Sequence, residues 1–427
     1  MRENFLHYLW RTRRLSPTHL RSTEGESLQV LHPGTYNTHG GPDFTNARIR
    51  IGDTVWAGNV EMHLRASDWL AHGHHHNPAY DNVILHVVLE EDQPIVRLGG
   101  ARIPCLEVAH LIPQDLKASY LKLLHSEHWI PCQPLISQVA TATKTLWLER
   151  LLVERLEQKT QHIAQALAHN RHNWEETFYQ ALARNFGLQI NAEPFELLAK
   201  SMPLLTLAKH KNSLLQLEAL LFGQAGLLTR DFQDEYPRQL QREYVHLQHK
   251  YKLTPLRGET WQFMRLRPAN FPTIRIAQLA TLIYQSNHLF SKMLAAADAT
   301  ELTHMFELKL SNYWRTHYIF DKESKSSDKK LGQSTVNLLI INTIVPFLFL
   351  YGKWHADARY QDKALTLLEK LPPESNHIIV QWRRIGIPSA SAYQTQALLQ
   401  LKNQYCDQKR CLECAIGHAI LQSENAC

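Results

Sequence analysis

Apolar positions recur along this chain in two different rhythms. Over roughly the first 130 residues the apolar segments are short and separated by turn residues. Phe5, Leu6, Leu9 and Trp10 recur at helical spacing, predicting a helix across Glu3 to Leu15. Leu28 to Leu31 predicts a short strand, ended by the turn pair Pro33-Gly34. Ala47 to Ile51 alternates apolar residues with Arg48 and Arg50, the pattern of a half-buried strand. Gly52-Asp53 supplies a turn, and Val55 to Leu64 completes a hairpin. Val83 to Leu89 is almost continuously apolar and rich in β-branched residues, as a strand covered on both faces is. Further short strands are expected between Ile95 and Val108.

From about Thr141 the helical period takes over. Leu146 to Ala168 predicts a long amphipathic helix. Trp174 to Phe186, Phe195 to Met202, Ser213 to Leu221 and Phe232 to Leu247 continue the pattern, as do Ile274 to Leu294, Ala299 to Leu310, Val336 to Leu350 and Ala356 to Lys370. The Ser/Lys-rich stretch Asp321 to Lys330 predicts a mobile surface loop. No repeat of fixed period is visible, which argues against a solenoid. The expected class is α+β: a mixed α/β sheet domain over 1–130, then a large helical domain over 131–427 that ends in a cysteine cluster.

Composition changes this picture little. With 427 residues, 44% hydrophobic and 20% charged, the chain has the balance of an ordinary folded protein of two or three domains. Its net charge of +6 permits a nucleic-acid partner without requiring one. The N-terminus lacks the charged-then-apolar order of a signal peptide. The run Val336 to Leu350 is short and interrupted by Asn337, Asn342 and Pro346, so it reads as a buried helix rather than a membrane span. A cytoplasmic protein with no membrane association is expected. Neither a phosphate-cradling glycine loop nor a nucleophile elbow is present, which disfavours nucleotide-driven motors and serine hydrolases.

Histidine stands out, with 25 residues, several clustered. Asp43 lies just before the first hairpin strand and Glu61 lies late in the second, so the turn brings the two carboxylates together. Two carboxylates on adjacent strands plus a backbone carbonyl form a minimal cradle for a hard divalent cation such as magnesium or manganese. The two-residue period of a strand puts His63 on the face of Glu61. The plain alternative is a turn at Pro42-Asp43 and an exposed Glu61. Downstream, Asp68 precedes His72, Gly73, His74, His75 and His76 in a loop that overhangs this strand. His72 and His74 are the candidates for metal or phosphate contact; a solvated polar loop is the alternative. His86, inside an apolar strand, is expected to be a satisfied core histidine.

Two further groups carry chemistry. Arg265, Arg267 and Arg275 flank a proline-stiffened segment and suit phosphate contact, or else bridge to acidic neighbours. Cys406, Cys411 and Cys414, spaced by four and two residues, are followed by His418. Three thiolates and an imidazole suit zinc. The same spacing occurs at iron–sulfur sites, where a distant cysteine completes the set, here Cys105 or Cys132. Half-buried thiols on a helix hairpin are the alternative, and Cys427 at the terminus is expected to be frayed.

The order of helix, strand, Pro42-Asp43 at the head of a hairpin and Glu61-Met62-His63 on its second strand resembles the PD-(D/E)XK nuclease superfamily over residues 1–110. That resemblance implies that Asp43 and Glu61 ligate metal, that Met62 offers its backbone carbonyl, and that Glu3 is a further acidic candidate. His63 stands where that superfamily has lysine. Gly40 to Phe44, Val60 to His63, Asp68-Trp69, Tyr80 to Val88, Glu218 to Gly226 and Arg267 to Pro272 also resemble a bacterial family catalogued as domain of unknown function 2851. Three functions follow as expectations. The first is a metal-dependent nuclease acting on DNA or RNA, and the second is a catalytically silent nuclease fold that binds nucleic acid or a protein. The third is a zinc hydrolase centred on His63, His72 and His74.

Overall fold

The computed structural model describes residues 1–16, 20–97 and 99–423. Cys427 lies outside them. The chain divides into two compact units, Met1–Trp147 with Leu401–Cys427, and Leu148–Gln400. The C-terminal cysteine segment therefore belongs with the N-terminal sheet, and the first unit runs past residue 130.

In the first unit, helix α1 (Glu3–Arg11) buries Phe5, Leu6, Tyr8, Leu9 and Trp10 and packs on the sheet. The sheet contains β1 (Leu28–His32), β2 (Thr35–Tyr36), β3 (Phe44–Ile51), β4 (Thr54–Arg65), β5 (Val83–Glu90) and β6 (Cys105–Glu107), in the order β1-β3-β4-β5-β6 with β2 also on β3. β1, β3 and β4 form an antiparallel meander. β5 runs parallel to β4, and β6 parallel to β5. Of the strands expected between Ile95 and Val108, β6 forms, together with an isolated Val96–Arg102 bridge.

Two local features aim the end of the hairpin. A register shift between Phe44 and Ala47, with Asn46 at φ +59°, bulges β3 next to Asp43. The parallel β4–β5 pair needs a crossover. This one carries α2 (Asp68–Ala71) and two short 3₁₀ turns, His74–His76 and Pro78–Tyr80. Ala66, Trp69, Tyr80, Val83, Val88, Ile95, Ile103 and Cys105 form the apolar floor beneath it. Helix α3 (Gln114–His125) and the helix Ala415–Ser423 complete this unit.

α4 (Thr141–His169) leads into the second unit, which is helical apart from the small hairpin His317–Ile319/Lys322–Glu323. That hairpin occupies part of the expected loop. Lys329 at its end is buried, with Nζ donating to the carbonyl of Arg315 at 3.1 Å. The expected helix Ile274 to Leu294 is two, Pro272–Gln285 and Leu289–Ala295, separated by His288 in the left-handed region. Gln333–Trp354 is a continuous helical stretch, longer than its apolar run suggested. It is long and apolar enough to cross a membrane, and 83% of its apolar window is buried in the core. Pro346 cannot donate to the carbonyl of Asn342, and the helix widens into a π turn over Ile340–Ile344. Asn185 Nδ2 reaches in to donate to that carbonyl at 3.3 Å and to Thr343 Oγ1 at 2.8 Å.

Candidate metal centre

The site is assembled on β4 and the crossover that follows it. Glu61 and His63, two residues apart, share a face and are 5% and 1% exposed. The β4–β5 register pairs Glu61 with His86, which puts His86 on that face as well. Asp43 and Glu61 clasp each other across the hairpin. The Asp43 N–H donates to Glu61 Oε2 at 3.0 Å, and the Met62 N–H donates to Asp43 Oδ2 at 3.0 Å. Met62 thus meets Asp43 through its amide, which fixes the head of the hairpin.

The crossover then folds two imidazoles back over β4. Gly73, at φ +72°, makes the left-handed turn between His72 and His74 that lets both rings face the strand. His63 Nε2 lies 3.2 Å from His72 Nδ1 and 3.7 Å from Glu61 Oε1. His74 Nε2 lies 3.3 Å from Glu61 Oε1. One ligand atom from each of His63, His72 and His74 falls within 4.8 Å of the others, the one such group of three metal-ligating side chains among the described residues. Ligand atoms about 2.0–2.1 Å from a tetrahedral ion sit roughly 3.3 Å apart. The His63–His72 and His74–Glu61 spacings match that edge, so the three imidazoles outline a candidate site for one ion, with Glu61 Oε1 beside His63 and His74.

A supporting layer fixes these ligands. His63 Nδ1 is 2.8 Å from His86 Nε2. With the proton on His63 Nδ1 directed at His86, the Nε2 lone pair of His63 faces Glu61, His72 and His74. His74 stacks on Tyr80 with centroids 3.9 Å apart, and Trp69 packs edge-on to it. His7, on α1, places Nε2 3.2 Å from Asp43 Oδ2. Glu3, one turn earlier, lies close enough to feel Asp43, His7 and His72.

The electrostatics favour a cation. Burial first, and then the charge of Asp43, push Glu61 up to about 9. Burial, aided by the neighbouring imidazoles, pulls His63 down to about 2. Burial lowers His86 to about 4 and also depresses His74. Without a bound ion the cluster therefore holds His63, His74 and His86 as neutral imidazoles and Glu61 as a carboxyl that resists ionising.

Asp43, Glu61, His63, His72 and His74 come together. The arginines belong to the second unit: Arg265 and Arg267 are exposed in a loop. Arg275 is buried and donates to Gln278 Oε1, Asn270 Oδ1 and Thr335 Oγ1. That is a role in holding the loop to the helix, in place of the expected phosphate contact. Asp68 accepts the Arg65 amide at 3.0 Å. His418 faces Gln422 Nε2 at 2.6 Å and the Tyr8 ring. Cys105 is buried beside Glu91. His7 was missed in the sequence, although Glu3 and His7 stand one helical turn apart, on the face opposite Phe5 and Leu9.

The fold and the cluster define an α+β chain with an imidazole–carboxylate centre at the head of a hairpin. The model of the family described as Protein of unknown function (DUF2851) matches residues 3–377, and the chain belongs to that family. Searches of curated proteins and of solved structures found no match.

Proposed function

We propose that the chain is a metal-dependent hydrolase, with Glu61, His63, His72 and His74 as ligands and nucleic-acid phosphodiesters as its substrate class. The observation that carries this reading is the convergence of three imidazole nitrogens, of His63, His72 and His74, within 4.8 Å of one another, with Glu61 Oε1 3.3 Å from His74 Nε2 and 3.7 Å from His63 Nε2. Three imidazoles and a carboxylate suit zinc or manganese better than magnesium, which prefers oxygen ligands. Such an ion would polarise a phosphoryl oxygen and supply hydroxide at neutral pH. His86 fixes the ring of His63, and Trp69 and Tyr80 hold His74. Asp43 Oδ2, steadied by the Met62 amide and beside His7 Nε2, is the group placed to accept a proton from attacking water and pass it to His7. The substrate class rests on the order of helix, hairpin and parallel strand around Asp43 and Glu61, the order of PD-(D/E)XK nucleases, and on the net charge of +6. The Mg2+ cradle between Asp43 and Glu61 that the resemblance to PD-(D/E)XK nucleases implies is disfavoured here, because both carboxylates accept backbone amides and Glu61 Oε1 faces imidazoles.

A second reading, a silent fold that binds nucleic acid or protein, is favoured by the neutral His63 at the position of the superfamily's lysine. The deciding experiment strips the purified chain of metal, reloads it with zinc, manganese or magnesium, and assays DNA, RNA and an activated phosphodiester. Expected are one zinc or manganese per chain and hydrolysis that Glu61→Gln and His74→Ala each reduce by roughly a hundredfold or more, as loss of a metal ligand implies. Metal binding without hydrolysis would select the silent reading. Hydrolysis unaffected by both substitutions would place the chemistry elsewhere.

A further inference from the structure

The first unit contains a second set of ligating side chains. Cys132 follows α3, and its carbonyl accepts the N–H groups of Leu135 and Ile136 in a tight turn. Cys406 ends a π turn, Cys411 opens a 3₁₀ turn, and Cys414 precedes the helix Ala415–Ser423. Three contacts pin these distant segments together. Lys409 Nζ donates to the Leu124 carbonyl at 2.8 Å, Lys402 Nζ sits 5.1 Å over the Trp129 ring, and Trp147 meets Tyr405 edge-on. Gly417 closes the arrangement, since a Cβ there would lie 2.2 Å from the Cys411 carbonyl oxygen.

The result is a group of four thiols. Cys406 is within electrostatic reach of Cys132, Cys411 and Cys414, and Cys132 is within reach of Cys411 and Cys414. None is in a disulfide. The Cys414 sulfur accepts the N–H groups of Ile416 and Gly417 at the start of the last helix, as well as the Trp147 indole. Donors aimed at a sulfur support a metal-bound thiolate. Lys402 acts on Cys406 and Lys409 on Cys411, so positive charge faces a centre that four thiolates would make anionic. His418, the ligand expected from the sequence, turns instead to Gln422.

We infer that Cys132, Cys406, Cys411 and Cys414 together ligate an iron–sulfur cluster. Four thiolates around one zinc ion, about 2.3 Å away each, would sit roughly 3.8 Å apart. Among the described residues, no three of the thiol sulfurs lie within 4.8 Å of one another, as the imidazoles of the other site do, so they do not outline the tetrahedron of a single zinc ion. The spacing of four and two residues with a distant fourth cysteine is one that iron–sulfur sites use.

The test is anaerobic purification of the full chain, with iron, zinc and acid-labile sulfide measured beside the visible absorption. Iron and sulfide in equal amounts, lost in each of Cys132→Ser, Cys406→Ser, Cys411→Ser and Cys414→Ser but retained in Cys105→Ser and His418→Ala, is the expected result. Circular dichroism of each variant separates loss of cluster from loss of fold, and Cys105→Ser serves as the buried-cysteine control. Zinc without sulfide, a chain free of both metals, or iron retained in Cys132→Ser would each overturn the inference.

Discussion

Glu61 shows what the cluster asks of a single residue. Its ordinary value is 4.5 and burial beside Asp43 lifts it to about 9. A raised acid contributes stability that is complete below the unfolded value and is lost as pH climbs through the folded one. His63 and His86 are depressed bases, so their effect on stability is confined to pH below their ordinary 6.5. Between about pH 7 and 9, therefore, Glu61 is the ligand that makes the metal-free centre less stable as pH rises. In chelator, the melting temperature of wild type should fall across that window more steeply than that of Glu61→Gln. Saturating zinc or manganese should remove the difference, because the ion takes the place of the proton. Parallel pH profiles for the two chelated proteins would refute this account of Glu61. Asp43, Glu61, His63, His72 and His74 were legible because they sit on one hairpin and the loop after it, where strand period and a turn fix their faces. His7 was not, since its partner Asp43 is set by the docking of a helix on a distant hairpin, and the choice of Cys132 over Cys105 likewise waits on the docking of segments far apart in sequence.

At the scale of elements, period was a good guide and ends were not. The hairpin β3–β4 was legible from Arg48 and Arg50 alternating with buried Ala47, Ile49 and Ile51. The break at His288 was not, because a left-handed residue in an otherwise helical pattern carries no signal in apolar spacing. The π turn before Pro346 was equally hidden, since the carbonyl that Pro346 leaves without a backbone donor meets Asn185 from another helix. Asn185 therefore has a testable load. Removing it leaves the Asn342 carbonyl without that donor and the fully buried Thr343 hydroxyl without its partner. Asn185→Ala should cost about 1–3 kcal/mol in urea unfolding, the range for stranding buried polar groups. An unchanged midpoint would mean that the widened turn satisfies the carbonyl without help.

For the molecule as a whole, the division into units means that the chain's last segment completes its first fold. Leu412, Cys414, Ile416, Ile420 and Leu421 are all buried in that unit, where the last helix packs on α3 and the Cys411–Glu413 turn packs on α1. Burying each of the four large aliphatic side chains contributes about 1.5–3 kcal/mol. Their sum is on the order of 6–12 kcal/mol, comparable with the roughly 5–15 kcal/mol that stabilises a whole domain. A chain ending at Gln400 should therefore lose the first unit cooperatively while the second, with its own core, stays folded. Limited proteolysis distinguishes the outcomes. The truncated chain is expected to be cut throughout 1–147 and protected across 148–400, and to bind no zinc or manganese at His63, His72 and His74. A truncated chain that keeps 1–147 protected and still binds the ion would show that the meander and α1 fold without the C-terminal segment. It would also confine that segment's part in the unit to the thiol group. The expectation of collapse is the stronger one, because α1 carries Glu3 and His7 to the candidate metal centre and the C-terminal turn packs against that same helix.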